Sequence, residues 1–411
     1  QVCHRLWPTR LLGRLPDQHK DLVAACRAYE RLIEVYYFGG EMPLSMYSAV
    51  SLLNLAEAAG ALPGIAVGNS LLGAIFGFIP LRSIAEAYLH RALESVQKFD
   101  DIEARLLTLI GVGYYYAGVG NWERFRAAFD EVVRISMQFG HRRRLVDGFN
   151  SLMYLRLFKG EFPAAGQLAD TLRESVKHLH DPRYRVFALA GETYSDMHAG
   201  KFDEALSLLE EAHHILTTHT EIGDKDQKIE VSGLLSVAHL RRAEFDQALE
   251  LAQQAISLTG KSSPSAYHTF SGYAGPAEVY LTLWEAQYPL PSLANFAAKA
   301  CKILNRFARI FPIGKPRFWL SQGRYYWLSG KPSQARKAWQ KGLALATQLA
   351  MPYEQALAHY EIGRHLDKTD PDRQQHLGRA GEILTQCGEN YYRVLVQELL
   401  ASAKRQEESR S

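Results

Sequence analysis

Little in this sequence supports a disulfide or metal framework. Its four cysteines, Cys3, Cys26, Cys301 and Cys387, lie far apart and form no CxxC pair, a pattern that favours a reducing, cytoplasmic compartment over a secreted disulfide scaffold or a structural zinc site. Charge of one sign is lacking too: 47 basic residues against 44 acidic ones leave a net +3 with no face-wide basic run, so nucleic acid is not an expected partner. Sustained polar/apolar alternation is absent, which argues against β-structure.

Catalytic signatures are missing as well. There is no GxxxxGK[ST], HExxH or GxSxG, and the nearest phosphate-loop candidate, GNSLLGA at 68–74, lacks the lysine that would reach a phosphate. No catalytic residue and no cofactor is nominated. Fifteen histidines form no chelating pair: on a helix His178 and His180 would point about 200° apart, and His213 and His214 about 100°. No metal site is expected.

What is present is a hydrophobic fraction of 47% arranged with helical spacing. The clearest unit is GKFDEAL at 200–206. Gly200 can take positive φ and close one helix, after which Phe202 and Ala205 start the next, the small alanine letting two backbones approach. This glycine/aromatic/alanine turn is of tetratricopeptide type. It repeats at Gly120 with Trp122, at Gly160 with Phe162 and at Gly200, 40 residues apart each time, longer than the roughly 34 of the usual unit, so each helix should gain about a turn. Phe245 and Ala248 mark a further copy in which Ala243 replaces the glycine, and Gly330 with Ala335 another. The expected fold is an all-α, tetratricopeptide-like solenoid of antiparallel helix pairs.

Five segments follow from this reading. Residues 1–100 form an N-terminal helical segment packed on the array, 101–260 the regular repeats, 261–315 a degenerate repeat, 316–403 the C-terminal repeats and 404–411 a solvated tail. Within the degenerate segment 261–275 reads as a loop or distorted helix start, followed by a helix from about Glu278. No charge occurs between Glu57 and Arg82. Pro63 and Pro80 nevertheless bracket only 16 residues, a rise of about 24 Å where a bilayer core needs about 30 Å. Gly64, Gly68, Gly73 and Gly77 suit a buried helix pressed on its neighbours, and no membrane is expected. HRRR at 141–144 is expected to be a solvated corner, an anionic docking point being the sharper reading.

The repeat register nominates a groove. In such arrays the first helix of each pair lines the concave side, and the residue six before the turn glycine is here Tyr114, Tyr154 and Tyr194. Asn150, His198, Arg241, Arg317 and Arg324 should lie near the same face. Tyrosine and arginine suit a protein or peptide segment, which could equally be an upstream part of the same polypeptide.

The runs FWLSQGRYYWLSGKPSQARKAWQKGLALATQLAMPYEQALAHYEIGRHL (318–366) and YFGGEMPLSMYSAVSLLNLAEAAG (37–60) resemble the C-terminal helical-repeat region of multidomain class III adenylate/guanylate cyclases, or of kinases, that carry a P-loop ATPase module. The resemblance implies a non-enzymatic regulatory region of a larger signalling protein whose catalytic and ATP-binding residues would precede Gln1. The alternative is the effector-sensing repeat region of an ATP-dependent transcriptional regulator.

Overall fold

The computed structural model describes residues 12–13, 18–79, 81–177, 179, 181–219, 225–260 and 263–408. Among these the secondary structure is helical, with two short 3-10 turns, and divides into two units: residues 1–148 with 219–225, and residues 149–218 with 226–411. The division falls inside a helix near residue 148.

The first unit holds α1 (His19–Phe38), α2 (Met42–Ala59), α3 (Leu62–Phe78), α4 (Arg82–Val96), α5 (Ile102–Val119), α6 (Trp122–Phe139) and the start of α7 (Arg142–Phe158). The uncharged stretch is α3. It packs on α2, α4 and α5, and among the described residues no helix is long and apolar enough to cross a membrane. Its glycines permit that packing: a Cβ at Gly68 would lie 2.9 Å from Leu53 Cβ, and one at Gly73 2.6 Å from Leu89 Cγ.

Helix pairs divide the burial between them. Buried side chains encircle α5, whereas α6 buries one stripe of Phe125, Ala128, Phe129, Val132, Ile135 and Ser136. A helix packed all round lies inside the stack, and an amphipathic one covers it. Asp101 and Asn121 cap the starts of α5 and α6 through Ala104 N and Arg124 N, and Gly120 turns between them at φ 78°.

HRRR is not a solvated corner. Arg144 is only 6% exposed and its guanidinium meets Glu103 at 2.7 Å, Glu34 at 3.0 Å and Asp147 at 3.2 Å. Arg143 reaches Glu34 at 3.3 Å. Burial without partners would be prohibitive for a cation; three carboxylates meet that need, so Arg144 ties helices together and is not a docking point.

The second unit continues the pattern with the rest of α7, then α8 (Phe162–Val176), α9 (Pro182–Ala199), α10 (Phe202–Thr218), α11 (Lys225–Arg241), α12 (Phe245–Gly260), α13 (Phe270–Glu285), α14 (Leu293–Ile310), α15 (Lys315–Leu328), α16 (Pro332–Gln348), α17 (Pro352–His365), α18 (Pro371–Cys387) and α19 (Tyr391–Glu408). Gly160, Gly200 and Gly330 take φ of 65°, 80° and 73°, and Ala243 takes 60° in the position the others give to glycine.

The helix expected from about Glu278 starts earlier. Residues 267–269 form a 3-10 turn that leads directly into α13, which starts at Phe270 and tolerates Pro276 in its interior. The close crossing of α11 and α13 explains this: a Cβ at Gly233 would lie 2.4 Å from Gly272 Cα, so glycines chosen for contact hid the helix. At the other end α19 remains helical to Glu408, four residues beyond the start of the expected tail.

The unit also closes on itself. Asn390 donates from its backbone N to His198 O and from Nδ2 to Ala199 O, both at 2.8 Å, and Lys159 Nζ donates to Ala350 O at 3.2 Å. Helices from its two ends therefore wall one interior space.

Candidate functional site

That space is a cavity of about 130 Å³ within the second unit. The inner helices supply its walls: Tyr154 and Phe158 from α7, Tyr194 and His198 from α9, Arg241 from α11, Glu278 from α13, Arg317 from α15 and Tyr353 with Glu354 from α17. Phe162, at the start of α8, and Glu389, Tyr391 and Tyr392, at the start of α19, complete it.

One wall is a run of alternating charges whose side chains are 4–14% exposed. Arg241 is ion-paired with Glu278, Arg317 lies 3.7 Å from the same carboxylate, and Arg317 grips Glu354 with two bonds of 2.9 and 2.8 Å. Tyr392 donates its hydroxyl to Glu278 at 2.9 Å. The arginines hold the Glu278 carboxyl down at about 2 in spite of its burial, the sign expected when opposite charges outweigh desolvation. The guanidinium of Arg241 also lies 4.0 Å from the Tyr391 ring centre, a cation–π contact.

The opposite wall is aromatic. Tyr154 and Tyr194 meet edge to face at 6.0 Å, and both hydroxyls converge on the buried Glu230. The His198 ring sits between Phe162 and Tyr353, 4.8 Å from the latter. Burial first, and Arg317 next, push the His198 pKa down to about 3, so the ring is neutral near pH 7.

No protein-family model matches this sequence, and no curated protein matches it. Solved structures do. A Rap protein complexed with competence and sporulation factor is 11% identical, with a TM-score of 0.56 over 81% of this chain and 99% of that one. A human IFIT1 dimer with m7Gppp-AAAA is 15% identical, with a TM-score of 0.54 over 96% of this chain and 85% of that one. The fold is a tetratricopeptide-like helical-repeat solenoid.

Of the eight groove residues expected from the register, Tyr154, Tyr194, His198, Arg241 and Arg317 line this one cavity. The other three do not. Tyr114 belongs to the first unit, its ring 5.9 Å from Phe129. Asn150 is 8% exposed and its Oδ1 has no hydrogen-bond partner. Arg324 sits in a neighbouring cluster, 2.9 Å from Glu285, which Arg364 also binds at 2.6 Å.

The acidic half of the site escaped the register argument. Glu278 follows Arg241 by 37 residues and Glu354 follows Arg317 by 37, so the same step leads from each of these arginines to its acid. That spacing was a usable signal. Tyr353, Glu389, Tyr391 and Tyr392 had none, because they reach the cavity only through closure of the unit.

Proposed function

We propose that this chain is a non-enzymatic helical-repeat module with a regulatory, protein-interaction role, and that the cavity of its second unit receives a protein or peptide segment, a segment of the same polypeptide included. The observation that carries this reading is the convergence of Tyr154, Tyr194, His198, Tyr353 and two ion-paired arginines on one space. Buried aromatic and arginine side chains around a shaped pocket supply most of the energy of known protein contacts, and a mostly apolar wall with few aimed polar groups is the usual form of a binding site. At about 130 Å³ the space suits one or two anchoring side chains, not a whole helix. The arginines are already ion-paired, which favours such an anchor over a phosphate backbone.

The reading is tested by panning a displayed peptide library against the whole chain. Enriched peptides should bind in solution with one-to-one stoichiometry, and Tyr353→Ala should weaken them at least tenfold with helical content unchanged. Equal binding by that variant would remove the cavity from the reading.

The same small volume favours a second reading, an effector-sensing region in which a small molecule fills the cavity. A thermal-shift screen of metabolites separates the two. The likeness of 318–366 and 37–60 to cyclase-associated repeat tails supports a parent signalling protein with nucleotide-cyclase and P-loop ATPase modules, working in the cytoplasm. That part of the proposal rests on the resemblance alone, and the reading frame of the gene upstream of Gln1 tests it.

A further inference from the structure

The charges around the cavity do not cancel evenly. Arg241 and Arg317 each have a carboxylate as partner. Glu389 does not have the reverse. It is 2% exposed, and its Oε2 accepts from the backbone N of Tyr392 at 2.9 Å and of Arg393 at 3.3 Å, capping α19. Among the described residues its Oε1 makes no hydrogen bond or ion pair, and the side chain lines the cavity. A nine-tenths-buried carboxyl with one idle oxygen facing an internal space lacks what its chemistry calls for.

The groups beside it are acceptors apart from Arg241, whose charge also acts on Glu389 but is already paired with Glu278. Tyr353, whose hydroxyl feels the Glu389 charge, stands edge-on to His198 at 4.8 Å, and the neutral imidazole carries a ring lone pair. A carboxylate oxygen, a phenol oxygen and an imidazole nitrogen are all acceptors. An alkylammonium group brings three N–H donors, no acceptor and one positive charge.

We propose that the cavity is a site for a primary alkylammonium group, with the Glu389 carboxylate as its counter-ion and Tyr353 and His198 beside it. The inference deepens the binding reading above and rests on it. The group could come from a lysine side chain of a docked segment or from a free small amine. The acid is prepared for the exchange: burial outweighs its two backbone bonds and the nearby Arg241 charge and raises the Glu389 carboxyl to about 7. Below that pH the incoming ammonium displaces its proton to the buffer, and Glu389 becomes the carboxylate.

The experiment is calorimetry on the whole chain at pH 6 in two buffers of different ionisation enthalpy, with n-butylammonium, butyrate and 1-butanol as probes. Butylammonium should bind and release up to one proton, while butyrate and butanol should bind at least tenfold more weakly. Glu389→Gln should cost the amine at least tenfold with melting temperature preserved, because glutamine keeps an oxygen for the two backbone donors but turns the idle acceptor into a donor. A second arm replaces lysine by norleucine in any panned peptide. Loss of binding there assigns a lysine, while amine binding with peptides indifferent to the change assigns a free amine. Peptides that bind regardless of both lysine and Glu389 overturn the ammonium site and leave the binding reading standing. Preferential binding of butyrate, or of no probe and no peptide, also overturns it.

Discussion

The ring of His198 lies flat on that of Phe162, centroids 3.5 Å apart and planes within 5° of parallel. The two residues come from adjoining helices, so the stack fastens α8 to α9 and aims an uncharged imidazole at the cavity. Because the folded pKa is depressed to about 3, the folded state resists a proton that the unfolded chain accepts near 6.5. The contribution is present in full above about 6.5 and is lost as pH falls toward 3.

His198→Phe keeps a stacked ring without the titration. The fall in urea midpoint from pH 7 to pH 5 should be smaller in this variant than in the parent chain. An unchanged difference would assign the acid sensitivity to other part-buried histidines, His268 among them, whose pKa desolvation lowers to about 4.

Gly323 faces Trp339 at a distance that admits no methyl group: a Cβ there would lie 2.2 Å from the indole Nε1. Trp339 is fully buried and donates to Leu320 O, so it cannot swing aside. Gly323→Ala should destabilise the chain by about 1–3 kcal/mol, the usual cost of overpacking, read as a lower denaturant midpoint with unchanged slope.

Ala243 holds φ 60° where equivalent turns place glycine. An L-residue pays about 1–2 kcal/mol in this region, whereas glycine enters it freely but loses more freedom on folding. Ala243→Gly should therefore stabilise by about 0.5–1 kcal/mol, and thermal melting would detect the rise.

Removing Arg144 leaves Glu34, Glu103 and Asp147 without their shared cation. Arg144→Met should cost about 3–5 kcal/mol, as expected when one partner of a buried ion cluster is deleted. The loss should shrink when Glu103→Gln and Asp147→Asn are added, and denaturation of the three chains compares them directly.

The scaffold was legible because its turns depend on local geometry. Gly120, Gly160 and Gly200 announce positive φ in the sequence and adopt it in the structure, and the spaced glycines of α3 announce close packing. Arg144 was misread for the opposite reason. One of its partners, Glu34, is 110 residues away, and nothing local distinguishes a solvated arginine from a clamped one. The site was half legible because the cavity crosses the inner helices obliquely. It meets α9 at Tyr194 and His198 near the helix end, but α15 at Arg317 and α17 at Tyr353 near their starts. A fixed position within the repeat finds Tyr194 and misses Tyr353.

The bonds from Asn390 and Lys159 each span 191 residues, and this changes what kind of folding problem the second unit poses. An open array gains stability one neighbour at a time and can be shortened from either end. Here the last helix must find the earliest ones across most of the unit, a search whose entropic cost is met before its contacts form. Truncation before residue 389 should therefore loosen α9 as well as the new end, and hydrogen exchange at both places should quicken together.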